Sequence, residues 1–455
     1  MGPGGSPAPP APAAGTPTAV GLRRPTGNHQ VRIHVLADSD TRWKWGAGLA
    51  VGLAPGSEVH AHMLRGRSTP TARQLAEVGI TPASITEATL AGFAAAPELD
   101  GADLIILGTV GGATHAALHA LARRFAGAPR RPVLMTGYVG VVYEKMADGL
   151  LLRAGADIVL ANSPFDRRRF TEVYEPLGIP VSCIVQTALP FLDQRPYDAN
   201  RTHATHPYTV CFAVQPSVPA DRNGRLYLLR RAISHARLRP GRDVLVKLRS
   251  KPGEATTHVE AFHYQVLAEQ LEEPLPPNLH FVYGNMSETL DRTDLLVTVS
   301  STAALESMHR GMPTAILSDL GVREVHGNHY FTGSGCVTDW TAIDEGDAPL
   351  ADESWTADQG IRAVNPYGEL RHRIEQLRGS ALPPISPYYT ADSAPEYVGA
   401  LLRRRGLNPD GSPGAAAAVR RPSGPMRRTS RRVLKVAYQF GVQRVAPKIQ
   451  QWGGV

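Results

Sequence analysis

The chain has 455 residues, enough for two or three domains, and an ordinary apolar content, enough to bury a sizeable core. No run approaches the roughly 20 apolar residues that cross a bilayer, and no charged segment followed by an apolar run opens the chain, so neither a membrane span nor a secretory signal is expected. The formal net charge of +7 is local: after residue 402 twelve Lys and Arg stand against Asp410 alone, leaving the remainder mildly acidic, which argues against a nucleic-acid-binding core.

Residues 1–28 are rich in Pro, Ala and Gly and carry almost no large apolar side chains, so they are expected to be disordered. The first strand signal is Val31–Ala37; it ends in Asp38-Ser39-Asp40 and leads into a helix expected from Trp43 to Leu53. The runs Leu104–Leu107, Val133–Tyr138 and Ile158–Ala161 read as buried strands, with helices expected at Ala113–Phe125 and Phe165–Tyr174. Strands alternating with helices predict an α/β fold with a parallel sheet covered on both faces. Glycines after two of these strands, in Gly108-Thr109-Val110-Gly111-Gly112 and Gly137-Tyr138-Val139-Gly140, would let backbone approach a ligand, and Glu144 lies just beyond the second. Asn162-Ser163 reads as a helix cap.

Residues 190–207 contain Pro190, Pro196 and Pro207 and read as a linker between a first domain at 29–189 and a second at 208–400. The pattern then restarts: strand Tyr208–Val214, helix Arg222–Ala236, strand Val244–Lys247, helix Ala261–Leu271, and strands Leu279–Val282, Leu295–Val299 and Thr314–Leu317. Two α/β domains joined in this way place a ligand in the cleft between them, outside the carboxyl ends of the strands. Cys183, Cys211 and Cys336 lie far apart in or near apolar runs and read as reduced core residues of a cytoplasmic protein.

The chemistry-bearing stretch begins where Leu295–Val299 ends. Ser300-Ser301-Thr302 is followed by Ala303-Ala304-Leu305-Glu306, which opens a helix closed by Gly311-Met312-Pro313. One hydroxyl at a helix start is a plain cap. Three, at a strand-to-helix turn where N–H groups and the helix dipole attract anions, favour a phosphate, with Glu306 one turn on to accept from ribose hydroxyls. Lys247, Arg249 and Lys251 follow another strand and can hold phosphate, or else form a solvated basic loop. Gln215, also at a strand end, is a supporting candidate, and Gly327–Phe331 could close over a base.

The segment from Ser300 to Glu306 with Gly311-Met312-Pro313 resembles the donor site of GT-B glycosyltransferases, nearest to bacterial capsule and sialic-acid type transferases, where a Ser/Thr pair holds the nucleotide phosphate. Gln215-Pro216-Ser217-Val218-Pro219, Val246–Glu254 with Thr257-His258, and Asn162–Asp166 extend the resemblance to a family of actinobacterial proteins assigned as glycosyltransferases, over about residues 30–390. The resemblance implies two Rossmann-like domains facing a cleft, with acceptor contacts from the first (Gly137, Tyr138, Glu144) and the nucleotide-sugar from the second (Ser300, Ser301, Thr302, Glu306, Lys247, Arg249, Lys251, Gln215). It implies an inverting transferase that uses the nucleotide-sugar as co-substrate, with no cofactor and no metal. The two-carboxylate pattern of Asp38 and Asp40 also occurs in metal-dependent GT-A enzymes, but here it lies in the other domain from the donor motif. In a GT-B enzyme it supplies candidates for the general base, Asp40 ahead of Asp38, or a helix cap at Asp40. Trp43, Lys44 and Trp45 would stack on a sugar or pack.

A CMP-activated sialic or related nonulosonic acid is one donor the resemblance allows. Many sialic-acid transferases carry a His-Pro pair near the basic strand end, and this chain has none there, so the nucleotide stays open. The acceptor would be a cell-surface glycan, free or lipid-linked. A polyol-phosphate transferase of the teichoic-acid type and a catalytically silent nucleotide-binding scaffold are the alternatives. In the tail, 401–455, the stretch from Arg427 to Lys448 spaces Val433, Val436, Ala437 and Phe440 as an amphipathic basic helix. Such a helix suits an anionic membrane surface, packing on the body, or an unpartnered arm.

Overall fold

The computed structural model describes residues 30–66, 69–141, 146–192, 195–200, 206–252 and 260–414. The expected disorder of 1–28, the amphipathic helix of the tail, Glu144 and His258 lie outside the described residues.

Two wholly parallel sheets carry the fold. The first contains β1 (Arg32–Ala37), β2 (Glu58–Leu64), β3 (Ser84–Ala88), β4 (Leu104–Gly108), β5 (Val133–Gly137), β6 (Ile158–Ala161) and β7 (Ile184–Gln186), in the order β3-β2-β1-β4-β5-β6-β7. The second contains β8 (Thr209–Ala213), β9 (Asp243–Lys247), β10 (Leu279–Val282), β11 (Leu295–Thr298), β12 (Thr314–Leu317) and β13 (Val337–Thr338), in the order β10-β9-β8-β11-β12-β13. The six strands of the second repeat the order of the first six of the first. β1 pairs with β2 on one side and β4 on the other, so Val35 faces both Ala61 and Ile106 across the register; β8 lies likewise between β9 and β11. These are the doubly wound sheets that the alternating strand and helix signals predict.

Central strands buried on both faces read as continuous apolar runs, which is why β1, β4, β5, β6, β8 and β11 are visible in the sequence. Edge strand β3 is largely exposed, and β2 is broken by His60 and His62, so neither carries that signal. Trp43 and Trp45 are buried in the core under the first sheet with Leu49 and Leu53; they pack, and the stacking reading of this pair is corrected. Cys211 and Cys336 are buried in the second domain, Cys183 is partly buried, and all three are free thiols.

The expected end of the second domain at residue 400 is also corrected. Leu370 and Ile374, from the helix Gly368–Arg378, are buried in the same core as Ile33, Val35 and Trp45. Val398 and Leu402, from the helix Pro395–Arg403, join Leu107, Leu118 and Leu121 on the other face of the first sheet. The chain thus returns to the first domain after about Pro366. Apolar periodicity reports that a helix has a face to bury, not which sheet buries it. The return is pinned: Arg371 Nη2 donates to Gly52 O at 2.8 Å and Nε to Leu53 O at 3.0 Å, closing the end of the helix Asp40–Leu53. Outgoing and returning segments meet where Thr187 Oγ1 donates to Pro366 O at 2.8 Å.

β1 and β2 bring His34 and His62 together inside this domain, ring nitrogen to ring nitrogen at 2.9 Å (Nδ1 and Nε2). Both are about 1 % exposed, and burial, with neighbouring imidazoles, pulls His34 down to about 3; burial likewise pulls His62 down to about 4. Depressed histidines are neutral when folded and protonated when unfolded, so their contribution is intact above about pH 6.5 and is lost as pH falls towards 4 and 3. Buried Asp166, raised to about 7 chiefly by burial, acts in the opposite sense, its contribution fading as pH rises through that range. The melting temperature is therefore expected to fall between pH 6.5 and 4. In His62→Gln the slope of that fall should flatten when thermal unfolding is followed by circular dichroism, and an unchanged slope would exclude this pair as the acid-sensitive element.

Candidate functional site

Strand order reverses beside β1 and beside β8, because the chain leaves them in one direction for β2 and β9 and later returns on the other side to β4 and β11. Helices diverge at such points and open a crevice at the carboxyl ends of the strands. Each crevice is spanned by the same kind of bond. In the first domain Asp38, just past β1, accepts the backbone N–H of Val110, just past β4, at 3.0 Å through Oδ2. In the second, Gln215, just past β8, accepts the N–H of Ser300, just past β11, at 3.0 Å through Oε1. The Ser300 hydroxyl lies 3.2 Å from the same Gln215 oxygen and donates to His326 O at 2.5 Å. Gln215 and Ser300, predicted from separate motifs, are one hydrogen-bonded unit.

The two crevices face each other. Arg249, past the end of β9, donates through Nη2 to both oxygens of Asp40, at 3.0 and 3.2 Å, and also to the Thr41 hydroxyl. Asp40 opens the helix that follows β1, so this ion pair bridges the domains. Asp38 is turned back into its own domain, paired with Arg42 Nη1 at 3.0 Å. A side-chain carbon added to Gly140 would stand 3.2 Å from Thr302 Cγ2, so the loop after β5 lies directly against the hydroxyl turn. Gly360 makes a similar approach from the second domain: at φ +67°, its missing Cβ would sit 2.6 Å from Asn162 O.

The hydroxyl turn is capped from within. Ser301 Oγ accepts the N–H of Ala303 at 3.2 Å, and the Ser301 N–H goes to Thr298 Oγ1 at 3.2 Å. Thr302 is the cap residue of the helix Ala303–His309 but makes no side-chain cap bond. Glu306, on its first turn, is only 5 % exposed, so it is no solvated helix residue. Lys247 is buried too, donating to Gly284 O at 2.8 Å and Leu248 O at 3.1 Å. Burial is the main influence pulling the Lys247 ammonium below the usual lysine range; Glu77 and Lys44 of the first domain and Glu306 of its own are among its electrostatic neighbours. Lys251 is exposed on the loop beyond Arg249. Gly327–Phe331 follows His326, whose carbonyl accepts the Ser300 hydroxyl, and two of its side chains bond outside the turn, with Asn328 Nδ2 donating to Leu317 O at 3.0 Å and Tyr330 Oη to Gln359 Oε1 at 2.7 Å.

On the first-domain side, Tyr138 Oη donates to Met146 O at 3.1 Å, and Asn162 Nδ2 holds the loop by donating to Tyr138 O at 2.9 Å and Gly140 O at 3.3 Å. Ser163 caps the next helix, accepting from Asp166 N at 2.9 Å. Gly137 O accepts from Arg153 Nε at 3.0 Å. Arg42 and Arg153, which flank this end of the crevice, carry no sequence signal: each is one arginine on an ordinary helix or at its end.

Among the described residues no helix is long and apolar enough to cross a membrane. Residues 33–377 match the model of a family described as "Putative glycosyltransferase (DUF6716)". No curated protein matches the chain. Among solved structures, the UDP-N-acetylglucosamine 2-epimerase from Rickettsia bellii aligns with a TM-score of 0.50 at 10% identity, covering 77% of this chain and 99% of that one. The UDP-GlcNAc 2-epimerase from Neisseria meningitidis, bound to UDP-GlcNAc, aligns at 0.46 and 12% identity over 77% and 100%. A spinosyn rhamnosyltransferase aligns at 0.38 and 16% over 77% and 99%. The likeness to the Rickettsia enzyme is one of fold, and the fold is GT-B: two Rossmann-like domains with parallel sheets facing a cleft.

Because Gln215 satisfies a backbone N–H at a turn where Ser300 is 5 % exposed, Gln215→Leu strands that donor. It should destabilise the protein by about 1–3 kcal/mol, the penalty for a buried unsatisfied group, read as a lower urea midpoint at unchanged m-value. A midpoint equal to the parent's would mean that Gln215 does not hold the turn.

Proposed function

The chain belongs to this glycosyltransferase family, and we propose that it moves a sugar from a nucleotide-activated donor, held by the second domain, to an acceptor held by the first. The enzyme is a glycosyltransferase of the GT-B type. The observation that carries the division of labour is the Arg249–Asp40 ion pair: a cation at the carboxyl end of one sheet meets a carboxylate at the carboxyl end of the other.

Donor binding draws on Arg249, Lys251 and Lys247 for charge, on the Ser301-Thr302 turn for hydrogen bonds, and on Glu306 for the ribose. Gln215 and Ser300 hold that turn in shape. Arg249 is shared. A diphosphate or phosphodiester entering the second crevice competes with Asp40 for the guanidinium, and Asp40, once released, stands at the cleft as the general base for the acceptor hydroxyl. The base accepts the hydroxyl proton as the oxygen attacks the anomeric carbon and the nucleotide leaves with the bonding electron pair, which inverts the configuration. Asp38 is less suited, since one oxygen is held by Arg42 and the other by the Val110 N–H. Its place in the reading is to position the loop after β4. The sugar, a CMP-linked nonulosonic acid among the candidates, the glycan acceptor and an anionic membrane contact through the tail belong to this proposal.

Asp40→Asn should lower turnover roughly 10²–10⁴-fold. Because Arg249 then loses its competitor, calorimetry should find nucleotide binding at least as tight as in the parent. Parental turnover in both Asp40→Asn and Asp38→Asn would remove these carboxylates from the chemistry. Ser301→Ala and Glu306→Ala should each weaken nucleotide binding by about 1–3 kcal/mol, the range for hydrogen bonds to charged groups, and unchanged affinity in both would displace the donor site.

A further inference from the structure

We propose that a pocket in the first domain, built around Arg153, binds a saccharide that carries a carboxylate or phosphate group. The pocket is an open cleft of ≈ 670 Å³, and its lining includes Arg42, Tyr138, Asp148, Arg153, Tyr389 and Tyr397. The inference rests on the glycosyl-transfer reading only in assigning this ligand as acceptor.

Arg153 is 5 % exposed. Its Nε donates to Gly137 O at 3.0 Å and its Nη1 to Gly149 O at 2.8 Å, while its guanidinium stands 4.1 Å over the Tyr138 ring. All three contacts are neutral groups, and among the described residues Arg153 takes part in no salt bridge; Asp38 is an electrostatic neighbour, but its two oxygens are already engaged by Arg42 and the Val110 N–H. Burying a guanidinium against neutral partners alone costs several kcal/mol unless an anion completes the set. The bonds to Gly137 and Gly149 engage Nε and Nη1, leaving Nη2 of the planar fork to donate to an oxyanion. Arg42 adds a second cation to the lining, itself paired with Asp38. Asp148 opposes them, but it is exposed at the rim, where water screens its charge; the field of the buried Arg153 is screened far less.

The remaining wall suits a sugar ring. Tyr389 and Tyr397 meet edge to face with centroids 5.3 Å apart, both on the segment that returns from the second domain. The Tyr389 carbonyl is held by His115 Nε2 at 3.0 Å and His119 Nε2 at 2.9 Å. Burial, with the neighbouring imidazole, pulls His115 down to about 4, and burial also lowers His119, so both are neutral donors at pH 7 and fix that wall. Tyrosine presents an apolar face to ring C–H groups and a hydroxyl to ring oxygens. The pocket also takes in Val110, whose N–H is bound by Asp38, so its ligand lies at the first crevice.

The test is calorimetry on the full chain with glucuronate, glucose 1-phosphate and glucose as probes. The proposal expects at least one anionic sugar to bind roughly 10–100-fold more tightly than glucose, with affinity falling as salt is raised. The two anionic arms separate a uronate reader from a sugar-phosphate reader. Arg153→Met should erase the preference for the anion. Tyr397→Ala, at a half-exposed position where folding is not at stake, should weaken anionic and neutral sugars alike, several-fold. Should Arg153→Met fail to fold, Arg153→Lys keeps the charge but loses the fork and should weaken the anionic probe with glucose unmoved. Equal binding of the three sugars, or an anion preference that survives both Arg153 variants, overturns the pocket. Nucleotide-sugar turnover measured in parallel keeps the two readings apart: an anionic sugar that binds as expected yet is never glycosylated leaves the pocket standing and removes the transfer assignment. Transfer to neutral acceptors without any anion preference does the reverse.

Discussion

The reversal of strand order beside β1 and β8 is the constraint on which the rest of the molecule depends. Each reversal sends consecutive helices to opposite faces, so the strands beneath end in a gap that backbone alone cannot fill. The two gaps are bridged in parallel fashion, Asp38 to the Val110 N–H and Gln215 to the Ser300 N–H. The bridges differ in one respect with chemical weight: the first is a carboxylate and the second a neutral amide. A neutral bridge leaves a crevice that can admit phosphate without repulsion. A carboxylate bridge makes its crevice hostile to a bare anion unless arginines compensate, and Arg42 and Arg153 stand there.

Charge is therefore arranged as a balance across the cleft. The second domain presents Arg249, Lys251 and Lys247, and the first answers with Asp40. The Arg249–Asp40 pair is partly exposed, and pairs of that kind contribute roughly 0–1 kcal/mol, so it is weak enough to exchange partners when a more strongly charged group arrives. A tighter, buried pair would have locked the domains together instead. The Arg249–Asp40 contact between the two sheets is thus cheap to break.

What the sequence disclosed follows from how the fold writes itself into residue order. Strands buried on two faces appear as apolar runs, and the helix start after β11 appears as Ser300-Ser301-Thr302, so the sheets and the second crevice were legible. Helix caps at Ser163 and the packing of the three cysteines followed the same local rules. Tertiary partnership left no trace. Nothing in Gln215-Pro216-Ser217 says that Gln215 reaches Ser300 some 85 positions on, and nothing in Lys247-Leu248-Arg249 says that Arg249 meets Asp40, 209 positions away. The tryptophans suggested a sugar platform because aromatic residues serve both cores and carbohydrates; burial decided for the core. The tyrosines that do line a pocket, Tyr389 and Tyr397, sit in a segment whose membership of the first domain depends on a return path that periodicity cannot express.

That return path has a topological consequence. The strand Arg32–Ala37 and the segment around the helix Pro395–Arg403 and Leu407 both belong to the first domain, and the second domain is strung between an outgoing segment after Thr187 and an incoming one before Pro366. In the language of gene architecture the second domain is an insert, and the first is a host whose two pieces close around it. The two connections meet at the Thr187–Pro366 bond. A short bridge from residue 187 to residue 366 would close the host while leaving the hydrophobic contacts of Leu370, Ile374, Val398 and Leu402 in place, since these lie wholly within it.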